Sequence, residues 1–185
     1  ITGLRIGVIR HYWEEDMPAH PDLRSAMEEA IRVFEALGAK IEDCRTHPLQ
    51  DSFGTKIIIG ESEIYSIHCQ DLITRPGDFG RDFLGRILPA CLFNAADYVQ
   101  ASREHCRIIA ETRPLYEKYD VLLTAGLGPA PRFDAHRTMT FWQKRTDMFR
   151  PANLTGAPAL VLPCGFSNGL PMGMQLLGRP FDDAG

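Results

Sequence analysis

The sequence predicts an α/β fold: part of a mixed β-sheet flanked by helices and ending in a β-hairpin. Three observations carry this. LRIGVIR (4–10), an amphipathic helical stretch and AKIEDCRT (39–46) follow one another as a β-α-β unit, which implies a parallel pair with a right-handed crossover. VLLTA (121–125) is a short apolar run typical of an interior parallel strand. ALVLPC (159–164) and GMQLLG (173–178) are two extended runs joined through SNGLP, whose Asn-Gly is a strong turn signal.

Each element has its own warrant. The first helix should carry Pro21 in its first turn and be closed by Gly38. Leu23, Met27, Ile31 and Phe34, joined by Ala26, Ala30 and Leu37, make its apolar stripe. From Phe53 to Ile73 the pattern is helical, and RPGD (75–78) breaks it. A shorter helix covers 79–88. A longer one starts at Asn94 as N-cap and runs toward Tyr119, with Pro114 expected to kink or divide it. GLGPAPRF reads as loop and 136–150 as helix. After the hairpin and a bend at Gly178–Pro180, FDD reads as the cap of a further helix.

Composition bounds the function. With 44% hydrophobic and 24% charged residues, 185 residues suffice for one buried core, read here as a single unit. The net charge of −4 and interspersed lysines and arginines offer no phosphate-binding face, so no nucleic acid is expected as a partner. No apolar run reaches the roughly 18 residues of a membrane helix, and no membrane partner is expected. ITGLRIGVIR lacks the layout of a signal peptide and an initiator methionine, which suggests a segment of something longer. NLT (153–155) fits a glycosylation sequon but is discounted without a secretory signal. The odd count of five cysteines (44, 69, 91, 106, 164) argues against a complete disulfide framework. They read as reduced, mostly buried thiols of a cytoplasmic protein. His68–Cys69 and His105–Cys106 are adjacent pairs, and helical neighbours diverge by about 100°, so neither is expected to hold a metal.

G-F-S-N-G (165–169) matches the G-x-S-x-G pattern of a serine nucleophile elbow. An elbow turns from strand into helix, yet Gly169, Pro171 and Gly173 follow Ser167 in an extended run. No histidine follows either, the last being His136. Ser167 therefore reads as a hairpin serine. Glu61 and Glu63 stand two apart and converge poorly in any regular structure. His11 and His20 flank the acidic stretch WEED and read as solvated.

The tail NLTGAPALVLPCGFSNGLPMGMQLLGRPFDDA closely resembles the end of the amidase signature family. GLRIGVIR, ALGAKIED, FGRDFLGRI, AADYVQA and YDVLLT resemble its segments in the same order, so the likeness covers nearly the whole chain. The resemblance implies hydrolysis of carboxylic amide C–N bonds, or release of ammonia from glutamine or asparagine in amidotransferase A subunits. It implies a nucleophilic serine, a bridging serine and a lysine base, with backbone amides holding the oxyanion. This chain has six serines without a Ser-Ser pair, and none of its four lysines (Lys40, Lys56, Lys118, Lys144) stands in that setting.

The resemblance thus implies the pocket-forming C-terminal portion of an amidase, inactive alone, with its catalytic core and final helix elsewhere. It implies a small amide substrate for the full-length enzyme and no cofactor or metal. A half-sheet with open edges would also self-associate or be only marginally stable. Arg86, in FGRDFLGRI, falls on an arginine that helps hold the amino-acid substrate in amidotransferase A subunits. Asp147, before FRPANLTG, falls near an acidic partner there. TAGLGPAP stands where the family often has a Pro-Thr-x-Pro loop, and Pro89 interrupts an expected helix. A non-catalytic ligand-binding or interaction module remains the alternative from another class.

Overall fold

The computed structural model describes residues 1–126, 128–129 and 150–184. Among them a sheet of five strands is ordered β2-β1-β3-β5-β4. Its strands are β1 (Arg5–Val8), β2 (Lys40–Asp43), β3 (Val121–Ala125), β4 (Ala159–Ser167) and β5 (Leu170–Leu177). Strand β1 lies parallel to β2 (Ile6↔Ile41) and to β3 (Gly7↔Leu122). β5 is antiparallel to β3 (Leu123↔Leu176) and to β4 (Val161↔Gln175). The sheet is mixed, as the sequence predicts.

Local chemistry explains where the helices begin and end. α1 (Pro21–Ala36) has Pro21 at its start, and the His20 ring accepts a bond from Asp22 N at 3.2 Å. It buries Leu23, Met27 and Ile31 on the sheet, with Phe34, Ala26 and Ala30 packed alongside. Leu37 does not join them; it comes just after the helix and stays exposed. Gly38 is next, at φ 93°, a conformation most side chains resist. α2 (Leu49–Thr74) is longer than expected, starting just after Pro48. The RPGD break forms a short 3₁₀ turn, Pro76–Asp78. α3 (Arg81–Ile87) comes after it, and Pro89 falls in a second 3₁₀ turn, Leu88–Leu92, instead of inside a helix.

Asn94 caps α4 (Ala95–Thr112) with a full capping box: its side chain accepts from Ala96 N and Asp97 N, and Asp97 accepts from Asn94 N. Pro114 separates α4 from α5 (Leu115–Lys118), which begins just after it. α6 (Arg150–Thr155) is short, and the rest of the helix expected over 136–150 lies outside the described residues. The hairpin turn is two residues long, with Ser167 paired to Leu170. Asn168 and Gly169 both have positive φ (50° and 79°), the requirement of a turn whose twist suits antiparallel strands.

Two expectations need correction. WEED is not a solvated loop: Tyr12–Asp16 forms one π-helical turn that buries Tyr12 and Trp13. His11 goes inside with them, while His20 is exposed as read. The aromatic bodies of Tyr12 and Trp13 gain more from leaving water than the flanking acids lose, because Glu14 and Glu15 stay at the surface. The cysteines are free but not mostly buried: Cys44, Cys69 and Cys164 are half-buried, Cys91 and Cys106 exposed. No helix among the described residues is long and apolar enough to cross a membrane.

The core runs along β1, β3 and β5, with Ile6, Val8, Leu122, Leu123, Met174 and Leu177 buried. Edge strand β4 differs. Leu160 and Val161 are successive residues, hence on opposite faces of the strand, yet they are 55% and 53% exposed. Among the described residues both faces of β4 are therefore open around Leu160 and Val161, while α1 packs near Gly165 farther along the strand. Along its length α2 meets α4, α6 and the turn at Leu88–Leu92, and this helical layer carries the candidate site.

Candidate functional site

Arg86 lies in the last turn of α3, where its guanidinium meets Glu61 of α2. Arg86 Nη2 donates to Glu61 Oε1 at 3.2 Å. Lys56, five residues before Glu61, donates from Nζ to the same oxygen at 3.3 Å. The Glu61 residue is only 3% exposed, whereas the Lys56 and Arg86 side chains are 27% and 26% exposed. A buried carboxylate oxygen therefore meets two cations, each about a quarter exposed. Glu61 Oε2 is buried and has no hydrogen-bond partner among the described residues.

Of the two residues implied by the resemblance, the structure describes Arg86; Asp147 lies outside the described residues. The sequence reading missed Glu61 and Lys56. The expectation that Glu61 and Glu63 do not converge holds: Glu63 faces outward and accepts from the Tyr98 hydroxyl at 2.9 Å. The only signal that could have selected Glu61 was an acidic residue within the apolar run IIIGESEI, a type that goes inside mainly when paired.

Ser167 is a strand-end residue of the hairpin. Its buried hydroxyl donates to the Asp22 carboxylate, and no hydrogen bond joins it to a histidine among the described residues. A second serine does meet a histidine. Ser52 Oγ and His47 Nε2 are 2.6 Å apart, with the Tyr12 hydroxyl 3.2 Å from the same nitrogen and Thr46 Oγ1 3.1 Å from Nδ1. Burial pushes His47 down to about 4, so its ring is neutral and could accept a proton. Yet Ser52 and Tyr12 are completely buried and His47 nearly so. No substrate carbonyl can reach that oxygen, so the group is a polar pin between the π-helical turn and α2.

The His-Cys pairs have local roles. His68 packs edge-on against Phe79 and Phe83 at 5.7 and 5.8 Å, and His105 Nε2 lies 2.5 Å from the Leu154 carbonyl. Among the described residues no group of three or more His, Cys, Asp or Glu side chains is placed to hold a metal. A cavity of about 840 Å³ is lined by Thr112, Arg113, Tyr116, Arg179 and Phe181, and Arg86 is not part of its lining.

The chain as a whole is similar to known proteins. The model of the Amidase family matches residues 2–185. The chain is 29% identical over 213 residues to a glutamyl-tRNA(Gln) amidotransferase A subunit of Myxococcus xanthus, covering 100% of this chain and 43% of that protein. It is 32% identical over 210 residues to a protein of the same name from Chloroflexus aurantiacus, covering 100% of this chain and 42% of the relative. A crystal structure of an amidase superposes with a TM-score of 0.86 at 22% identity, over 99% of this chain and 43% of that one, a likeness of fold. The glutamyl-tRNA(Gln) amidotransferase A subunit of Thermotoga maritima superposes at 0.76 with 28% identity, over 99% of this chain and 40% of that one. The chain thus spans less than half the length of these relatives. Because the family model runs from residue 2 to residue 185, this chain belongs to the amidase (amidase signature) family.

Proposed function

We propose that this chain is the C-terminal, pocket-forming portion of an enzyme that hydrolyses carboxylic amide C–N bonds. The observation that carries the reading is the family match along the chain. In this reading a serine outside the chain attacks the amide carbonyl, activated by a lysine through a second serine. The amine departs with a proton, and water then releases the carboxylic acid. The six serines and four lysines of this chain supply no such set. Its part is to complete the sheet and wall the substrate pocket, with Arg86 and Asp147 as substrate-binding residues.

A second reading is favoured by the names of the relatives: the parent is an amidotransferase A subunit that takes ammonia from glutamine or asparagine. A cytoplasmic setting goes with either, supported by five free thiols. The test is ammonia release by a protein of the relatives' length that carries this chain. Turnover of simple amides supports the amidase, and turnover restricted to glutamine or asparagine supports the amidotransferase. The chain alone should release none. Hydrolysis by residues 1–185, or none by the longer protein on either substrate class, overturns the proposal.

A further inference from the structure

We propose that Gln175 is a positioning residue for the parent enzyme. Its carboxamide, backed by the Thr124 hydroxyl, hydrogen-bonds the main chain of the segment that carries the catalytic serines outside this chain. This rests on the reading of the parent as an amide hydrolase.

Gln175 and Thr124 stand directly opposite each other on β5 and β3, so both side chains leave the same face of the sheet. They are 4% and 0% exposed. Gln175 Oε1 and Thr124 Oγ1 are buried, and neither has a hydrogen-bond partner among the described residues. Buried polar groups are nearly always paired, because an unpaired one has given up its water for nothing. Two such groups side by side in the middle of a sheet call for a partner from elsewhere.

The same face has room for one. Val161, next in this row on β4, is 53% exposed. Two residues before Gln175 on β5 comes Gly173, paired to Pro163, its carbonyl accepting from Gly126 N at 2.8 Å. A Cβ on Gly173 would meet only β4, with Val161 Cγ1 at 3.4 Å and Leu162 O at 3.5 Å; among the described residues nothing else lies over it. Gly173 is not among the glycines with positive φ, so its backbone angles do not demand glycine. A glycine inside a strand then marks a place where another backbone comes close. The last torsion of a glutamine side chain is soft. The carboxamide can turn out over Gly173 while its inner end stays within reach of Thr124.

Place and chemistry both favour an amide partner. Thr124 is the last residue but one of β3, and β1 has β2 on one side and β3 on the other. Open α/β sheets build their sites beyond the carboxyl ends of the strands at such a switch in strand order. A carboxamide offers an acceptor and two donors, the complement of a peptide unit, and adds no charge beside a reacting group. Holding that peptide in place matters, because a displacement of about 1 Å at a reacting group can cost about a hundredfold in rate.

The experiment uses a protein of the relatives' length that carries this chain, with butyramide and glutamine as substrates. Gln175→Met keeps the volume and removes the hydrogen bonds, whereas Gly173→Ala keeps the bonds and fills the shelf. Each should lower kcat at least tenfold, with KM within about twofold. Gly7→Ala, which crowds Tyr119 on neighbouring β1, serves as a merely weakened sheet and should leave kcat within about twofold. An unchanged kcat in Gln175→Met with a raised Tm would mean that Gln175 is unpaired in the whole protein too, and overturns the proposal. A raised KM with kcat kept also overturns it, since the substrate would then be the occupant. So does an equal loss of kcat in Gly7→Ala, which would make any weakening of the sheet sufficient. Should Gln175→Met fail to fold, Gly173→Ala decides, and an unchanged kcat there overturns the proposal. If the unaltered protein hydrolyses neither substrate, the reading of the parent falls and this inference with it.

Discussion

Acid should loosen this protein before most of its carboxylates are protonated, and His47 is the reason. Its ring is buried among the Tyr12, Ser52 and Thr46 hydroxyls. Burial pushes its pKa down to about 4, against the pull of the Asp51 and Glu111 charges and with the push of Arg107 and His11. In the unfolded chain it returns to 6.5. The folded state prefers the neutral ring, so between these values the unfolded state binds more protons. The His47 contribution is therefore complete above about pH 6.5 and is lost as pH falls toward about 4. The difference corresponds to about 3 kcal/mol, a large share of the ~5–15 kcal/mol that holds a typical domain together. His11, lowered by its own burial, works in the same direction. Asp120 titrates in a separate window. Hydrogen bonds from Arg5 hold it down to about 2, so its contribution is present above 3.8 and lost only below that.

The assay is urea unfolding at a series of pH values between about 7 and about 4, on the native protein and on His47→Gln. Glutamine keeps a donor and an acceptor in the pocket but cannot titrate. The variant should be weaker at neutral pH by about 1 kcal/mol, through less favourable hydrogen bonds, and should lose much less on acidification. The two curves should converge toward acid. Equal slopes for both proteins, or a His47 ring that titrates near 6.5 in the folded state by NMR, would refute the argument.

Three other perturbations have definite outcomes. Gly7→Ala should destabilise by about 1–3 kcal/mol in a thermal melt, because the new Cβ would stand 2.6 Å from the buried Tyr119 ring on a central strand; an unchanged Tm would show that the ring can swing aside. Ser167→Ala in the longer enzyme should leave turnover within about twofold while costing about 1–2 kcal/mol of stability through the lost bond to Asp22; a loss of several orders of magnitude in turnover would restore Ser167 as the nucleophile. The residues 1–185 alone should self-associate in light scattering across a concentration series, and Leu160→Lys with Val161→Glu should suppress this; a native chain that stays monomeric throughout would show that the bare end of β4 is tolerated.

What could be read from the sequence was what local chemistry decides. Asn94 and Asp97 supply the two halves of a capping box within four residues, Pro114 cannot continue a helix, and Asn168–Gly169 can take the backbone angles a two-residue turn demands. Each acts over one turn of chain, so neighbours in sequence suffice to identify it. Tyr12 and Trp13 were illegible because their burial is decided by Leu49, Tyr116 and the sheet, which lie far along the chain, while the adjacent acids suggested water.

Glu61 was hidden for a related reason. A helix with an apolar stripe announces its inner face, as α1 does with Leu23, Met27 and Ile31. α2 has apolar residues nearly all the way round: Ile57, Ile58, Ile59, Ile64, Ile67, Leu72 and Ile73, of which Ile67 and Ile73 are exposed. Such a helix does not say which face turns inward, and so cannot say whether Glu61 or Glu63 does. The choice is made by the partner. Arg86 reaches Glu61 across 25 residues, from a short helix whose orientation is set by the Pro76 and Pro89 turns. The same dependence leaves the cluster open to perturbation from a distance. A change that re-aims α3, even one remote in sequence, should break the contact between Arg86 and Glu61 and lower the Tm in a thermal melt.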